Sequence, residues 1–490
     1  MDHSKVDYRY KWYVLAATGM GIFLGTIDGS IVNITLPTMV EGFNTSFATI
    51  QWVVLVYLLT VSVLMLGMGR LADIKGKKPI YTLGFAVFVV GSLLCGLSPT
   101  VGTLIASRVV QGIGASMVMA LGMAIVTESF PPEERGRALG ITGAIVSIGV
   151  VTGPTLGGLI VKNLSWHWIF FVDIPVGLIG IPMILRFVPD LRPTGNQKFD
   201  FAGAGTLLMT LMCLLMALNL GQVDGFSNPL VLGLLAGFAV FLVLFILAER
   251  RSTQPMIDLS LFRNVLLRTN LITGFLTFVT QAGSIFLLPF YLQNALGYDP
   301  QQAGFLMVVV PVCLGIMAPI SGTLSDKVGT RPITAIGLVF LLIGYISAST
   351  LSLETTALGY ALRFIPVGIG VGIFQSPNNS AVMGSAPKSQ LGVVSSLLAI
   401  TRTLGQTAGI ALLGAFWASR TFAYAGQVFP GGATDAPYPA QVAGQHDTFV
   451  LAIAVTCVSL VLALLAVQRE RKMKKEQVQV GISDRQQAGK

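Results

Sequence analysis

Charged residues stand inside stretches that are otherwise almost wholly apolar: Asp28 within 12–36, Arg108 within 101–126 and Asp173 within 166–187 in one half of the chain, Arg363 within 357–383 and Arg402 within 391–415 in the other. A charge at that depth in hydrocarbon costs about 2.5–3.5 kcal/mol on insertion scales, so each is a functional candidate. Asp28 precedes Pro37 by nine residues, Arg108 follows Val101 by seven and Asp173 follows Trp166 by seven. At ~1.5 Å per helical residue, all three fall roughly 10–14 Å below one surface and are expected to share a polar layer. The chemistry open to them is reversible proton uptake. Desolvation and the approach of Arg108 or a cationic substrate push Asp28 in opposite directions, so proton and substrate can compete for it. A static Asp28–Arg108 pair that neutralises two buried charges is the alternative. Asp173, near the interfacial Trp166 and Trp168, has either a coupling role or a solvated, packing one.

The elements that must hold these residues are membrane spans. Of 490 residues, 53% are hydrophobic and 11% charged, against about 25% charged in soluble domains. Fourteen apolar runs near the ~20 residues that cross a bilayer follow one another from 12–36 to 448–467, which predicts an all-α membrane protein with both termini on one side. Placing the termini in the cytoplasm leaves only Lys162 and Arg420 in the outer loops, as the enrichment of basic residues on the inner side requires. The first run is too long for a cleaved signal peptide and holds Asp28, so it is expected to be retained. The loop 416–447, rich in Pro and Gly, reads as a flexible connector. The tail beyond Gln468 carries Arg469, Arg471, Lys472, Lys474 and Lys475, suited to an anionic inner leaflet.

Composition also excludes function classes. The net charge of +9 is scattered between apolar runs rather than gathered on a soluble face, which argues against nucleic acid. The four cysteines lie inside apolar runs and the three histidines are far apart, so no metal-ligand spacing is present. No Ser/His/Asp set or phosphate-cradling Gly-rich loop occurs, so neither enzymatic activity nor a cofactor is expected and a proton gradient is the expected energy source.

An internal repeat organises the chain. Gly69, Leu71, Asp73, Gly76, a basic pair at Lys77 and Lys78, and Pro79 are matched by Gly322, Leu324, Asp326, Gly329, Arg331 and Pro332 at an offset of 253. Both loops follow the second span of a half, and a similar offset relates Arg108 to Arg363. Two six-helix units, 1–190 and 266–467, are therefore expected around an extra helix pair in 191–265, with a basic tail over 468–490. The loop residues Gly69, Asp73, Gly76, Lys77, Gly322, Asp326, Gly329 and Arg331 are expected to make contacts that break and reform as helices rock. Asp28 has Gln281 at its repeat position, which hydrogen-bonds but does not titrate, so proton handling is expected in the first half.

These motifs resemble the major facilitator superfamily, and specifically its fourteen-span drug:proton antiporters. The loops at Gly69 and Gly322 look like its signature loop. Leu24-Gly-Thr-Ile-Asp28 through Asn33 to Pro37 is similar to the exporters' first-helix motif, and Gln51-Trp52 with Tyr57 to their second span. Arg108-Val-Val-Gln111-Gly112 resembles the in-membrane arginine motif. Gly149, Gly153, Pro154, Gly157 and Gly158 look like the antiporter motif. Their i, i+4, i+8 glycines permit close helix contact and Pro154 a bend, which ordinary tight packing explains equally well; the resemblance implies that this helix seals the boundary between the halves. Trp166-His167-Trp168 and Asp173-Ile-Pro175 depart from it, standing where these exporters more often show Arg and Asn.

The resemblance implies a monomeric, proton-driven exporter in the cell membrane, conferring antibiotic resistance by alternating access. Its expected substrates are amphipathic and cationic small molecules, with Asp28, Asn33, Trp52, Tyr57, Gln281 and Phe374 as cavity walls. Export or uptake of one metabolite or vitamin is the alternative, and a sensor or scaffold without transport a minor one.

Overall fold

The computed structural model describes residues 8–131, 134–190, 200–225, 227–252, 255, 259–385, 391–429 and 431–488. The side chains of Asp73, Asp326 and everything from Arg469 onward lie outside that description. Among the described residues the chain is helical, with no strand.

The first half holds α1 (Lys11–Phe43), α2 (Phe47–Lys75), α3 (Lys77–Gly96), α4 (Val101–Ser129), α5 (Arg135–Asn163), a single turn α6 (Trp168–Phe171) and α7 (Asp173–Phe187). Two further helices follow, α8 (Phe201–Asp224) and α9 (Pro229–Arg251). The second half holds α10 (Val265–Phe290), α11 (Pro300–Met307), α12 (Val309–Val328), α13 (Thr330–Ser349), α14 (Ala357–Gly384), α15 (Leu391–Ala425) and α16 (Tyr438–Ala488). Thirteen helical segments among the described residues are long and apolar enough to cross a membrane, and α8 adds a shorter apolar stretch, Phe201–Leu214.

Local chemistry sets the boundaries. Ser46, Thr100, Asn228, Asn264, Asp299 and Thr356 each cap a helix by accepting from a backbone N–H of its first turn. Prolines divide two spans. Pro175 has no N–H for the Phe171 carbonyl, and the helix breaks at Val172 between α6 and α7. Pro311 likewise leaves the Met307 carbonyl without its helical donor where α11 gives way to α12.

The repeat extends from loop sequence to packing. In the first half α1 lies on α5, α2 and α3 on α4, and α3 on α7; in the second α10 lies on α15, α12 and α13 on α14, and α13 on α16. Gly405 and Gly409 admit the backbone of α10 as Gly153 and Gly157 admit α1. Each half has its own apolar core, one around Tyr81, Phe85 and Val118, the other around Leu338, Tyr345 and Phe364. α8 packs into the seam between α2 and α15, with Leu207 and Leu211 beside Leu59 and Leu397. α9 packs on α8 and exposes Leu230, Val240 and Val243, a face whose solvent is lipid rather than water.

Candidate transport site

Asp28, Arg108 and Asp173 do share one layer, and Gln111 joins them. Asp28 sits mid-way along α1, Arg108 two turns into α4, and Asp173 at the start of α7, where the Pro175 break ends the preceding turn. Arg108 Nη1 donates to both carboxylate oxygens of Asp28 at 2.8 Å and to Gln111 Oε1 at 2.6 Å. Its Nε donates to the Val53 carbonyl at 3.0 Å, and the ring of Tyr57 lies 4.0 Å from the guanidinium carbon. Gln111 Nε2 reaches Asp28 Oδ1 at 3.0 Å, Ser92 Oγ at 2.8 Å and Asp173 Oδ2 at 3.4 Å, while Ser92 donates to Asp173 Oδ2 at 3.0 Å. All five polar side chains are buried, Asp173 included at 2% exposure, so its reading as a solvated interfacial acid is corrected. The arrangement holds two carboxylates and one guanidinium, an odd charge that one proton balances.

A cavity of about 240 Å³ lies between the halves, walled by α1, α2, α4, α5, α10, α12, α14 and α15. Of the expected walls, Asn33, Tyr57 and Gln281 line it. Three do not. Asp28 is 1% exposed and sits behind Arg108 and Tyr57. Trp52 packs against the apolar cluster around Phe47 and Phe286. Phe374 is buried in the core of the second half, against the backbone of Gly337. Val54, two residues on from Trp52, and Gln375, next to Phe374, face the cavity instead. Among the described residues no aspartate or glutamate lines it, and its charged walls are Arg108 and Arg402.

The halves close on each other at the end carrying the α1–α2 and α5–α6 connections. A Cβ at Gly158 would collide with the Pro300 carbonyl oxygen, and one at Gly304 with that of Pro154. Gln293 donates to the Ile34 carbonyl at 2.8 Å, Lys162 pairs with Asp299 at 3.0 Å, and Phe47 packs among Phe286, Phe290 and Trp417. On its other face α5 lies against α1, where Gly149 and Gly153 leave no room for a methyl beside Thr26 and Ser30, and Gly157 meets Ile31 and Ile34. The segment read as an antiporter motif thus touches the first helix on one side and the opposite half on the other.

At the far end the two signature loops have one geometry. Gly76 ends α2 with φ 100° and ψ 144°, and Gly329 ends α12 with φ 100° and ψ 150°. Lys77 pairs with Glu128 of α4. Gly69 has open space, whereas a Cβ at Gly322 would meet Ser376 Oγ at 2.9 Å. Arg331 begins α13; the expected partners Asp73 and Asp326 lie outside the described side chains.

The sequence profile of the Major Facilitator Superfamily matches residues 18–410. Riboflavin transporter RibZ of Clostridioides difficile is 35% identical over 465 residues, covering 95% of this chain and 99% of its own. Multidrug resistance protein Stp of Mycobacterium tuberculosis is 33% identical over 420 residues, 84% of this chain and 78% of its own. Among solved structures, a bacterial homologue of the human lysosomal transporter Spinster, inward-facing and unoccupied, aligns with a TM-score of 0.67 at 17% identity, over 94% of this chain and 98% of that one.

Proposed function

Since this chain belongs to the Major Facilitator Superfamily and is a membrane transporter rather than an enzyme, we propose that it is a fourteen-span proton-coupled exporter of amphipathic small organic molecules. The observation that carries this reading is the Asp28–Arg108–Gln111–Asp173 network, closed off from lipid yet touching the central cavity through Arg108. A group that must gain and lose a proton during transport is best kept dry and joined to the substrate space by one mobile charge. In this reading the proton is held between Asp28 and Asp173, and its arrival frees Arg108 toward the cavity. Rocking of the two halves about the cavity then exposes it to each side in turn.

The counted fourteenth span is α8, continuous over Phe201–Asp224. The end carrying the loops at Gly76 and Gly329 is cytoplasmic in this proposal, by its concentration of Lys and Arg, with both termini on that side of the cell membrane. The end closed by α5 and α11 is the outer one in this proposal, which makes the conformation described an inward-facing one. The transporter is proposed to work as a monomer, with proton and substrate as its ligands and no cofactor.

Transport of one vitamin or metabolite is the second reading, favoured by the near end-to-end match with a riboflavin transporter. Reconstituted vesicles test both. Substrate accumulation against its gradient on imposing a proton gradient, lost in Asp28→Asn, is the expected result; flux indifferent to the gradient would refute proton coupling.

A further inference from the structure

Arg402 presents a cation to the central cavity with no acid among the described residues to answer it. It lies on the face of α15 that also presents Gln406 and Ile410, at i, i+4 and i+8, and all three line the cavity. Its Nε is buried and meets no hydrogen-bond partner among the described residues. Arg108, from the opposite half, reaches the same space but is committed to Asp28. The remaining polar lining among the described residues is neutral: Asn33, Gln281 and Gln375 offer amides, and no carboxylate faces in.

A guanidinium nitrogen buried without a partner forgoes a hydrogen bond it has lost from water, a cost usually met by an anion. In a transporter the missing anion can be the cargo, because a permanent internal counter-ion would cancel the site. Arginine fits a carboxylate or phosphate particularly well, since its planar fork donates two parallel bonds. The apolar walls beside it, Phe278, Ile285, Leu314 and Ile410, suit a flat hydrocarbon body.

We propose that Arg402 is the substrate-recognition residue of this transporter and that its cargo is an amphipathic organic anion, the anionic group on Arg402 and the apolar body between α10 and α12. This rests on reading the cavity as the substrate's path, and it replaces the cationic substrate expected from sequence. That expectation placed the charges of Asp28 and Asp173 in the cavity wall, whereas they are spent behind it.

The test uses three probes of one size and different charge: naphthalene-1-acetate, naphthalene-1-acetamide and 1-naphthylmethylamine. Binding to the purified full chain in detergent is read from ligand-dependent shifts of the thermal unfolding midpoint. The acetate is expected to bind about tenfold more tightly than the amide, the step for one charge-assisted bond, with the amine weakest. Arg402→Gln should erase the gap between acetate and amide, and Arg402→Lys should keep part of it. Equal or tighter binding of the amine, a gap that survives Arg402→Gln, or no binding of the acetate would overturn the proposal. Should Arg402→Gln fail to fold, the wild-type ranking and Arg402→Lys still decide. Because the readout is binding, it is separate from the vesicle flux that tests coupling: a transporter that ignores the proton gradient yet prefers the acetate would refute only the latter.

Discussion

Arg108 Nη1 lies 2.8 Å from each carboxylate oxygen of Asp28, and neither residue is more than 1% exposed. Removing one member of such a pair leaves the other charge buried alone, which costs about 3–5 kcal/mol. Asp28→Asn is therefore expected to lower the unfolding midpoint and abolish gradient-driven transport. The double variant Asp28→Asn/Arg108→Gln should regain most of the stability and none of the coupling. Melting curves and vesicle flux on the same preparations separate the two effects. Full recovery of transport in the double variant would reduce the pair to mutual neutralisation.

Gln111 is the bridge between the acids, with Nε2 at 3.0 Å from Asp28 and 3.4 Å from Asp173. Gln111→Met keeps the volume and removes every bond in the bridge, leaving buried acceptors short of donors at about 1–3 kcal/mol. The expected result is a shifted pH profile of transport, with binding of the probes in the cavity changed by less than threefold, about the limit of 0.6 kcal/mol. A loss confined to probe affinity would place Gln111 in recognition instead.

At the closed end, Lys162 and Asp299 are both exposed by more than a third, so their pair contributes below about 1 kcal/mol. The backbone N–H of Gln302 and then Lys162 hold the Asp299 carboxyl below the usual range. For an acid depressed in this way, the contribution is fully present above its unfolded value and is lost only as pH falls through the lower folded one. Its titration therefore lies well below neutral, and Asp299→Asn should leave the transport profile from about pH 5.5 to 8 unchanged. A profile displaced by this variant would make the pair a proton-operated latch.

Closure itself depends on backbone approach. A methyl at Gly158 would strike the Pro300 carbonyl, a backbone atom that cannot turn aside. Gly158→Ala is expected to disfavour this state, so spin labels at Lys162→Cys and Asp299→Cys should report a longer distance population than in the natural background. An unchanged distance distribution would show that α5 and α11 yield by sliding.

What could be read in the sequence was what hydrocarbon makes expensive. Asp28, Arg108 and Asp173 announce themselves by their cost, and their common depth follows from helical rise alone. Which way a side chain points does not, because these helices are apolar nearly all round and carry no stripe to mark an inner face. Trp52 and Phe374 were placed in the cavity by side-chain type, and each missed by one or two positions along its helix, where Val54 and Gln375 face in. Arg402 was visible as an in-span cation, but that its Nε is buried with no partner among the described residues needed the structure. Ser92 was invisible for the converse reason, since neutral polar residues are cheap enough in spans to pass unremarked, and Gln111 was legible only as part of the arginine motif; the geometry alone joins both to the acids. Pro175 stood out in the sequence only as part of a departure from the family pattern, and its role in placing Asp173 at a fresh helix start needed the structure.

The repeat gives a last, quantitative test. Gly76 and Gly329 adopt the same backbone conformation, φ 100° with ψ near 150°, at equivalent helix ends. That region is open essentially to glycine alone, and other residues pay roughly 1–3 kcal/mol to enter it. At Gly76 the nearest atom to an added Cβ is 3.6 Å away and at Gly329 3.9 Å, so neither site adds a collision to the backbone term. Gly76→Ala and Gly329→Ala should therefore destabilise the protein by equal amounts in that range, additively in the double variant because the sites are far apart. If the costs differ by more than about 1 kcal/mol, the two loops share a sequence pattern and a shape but not a mechanical role.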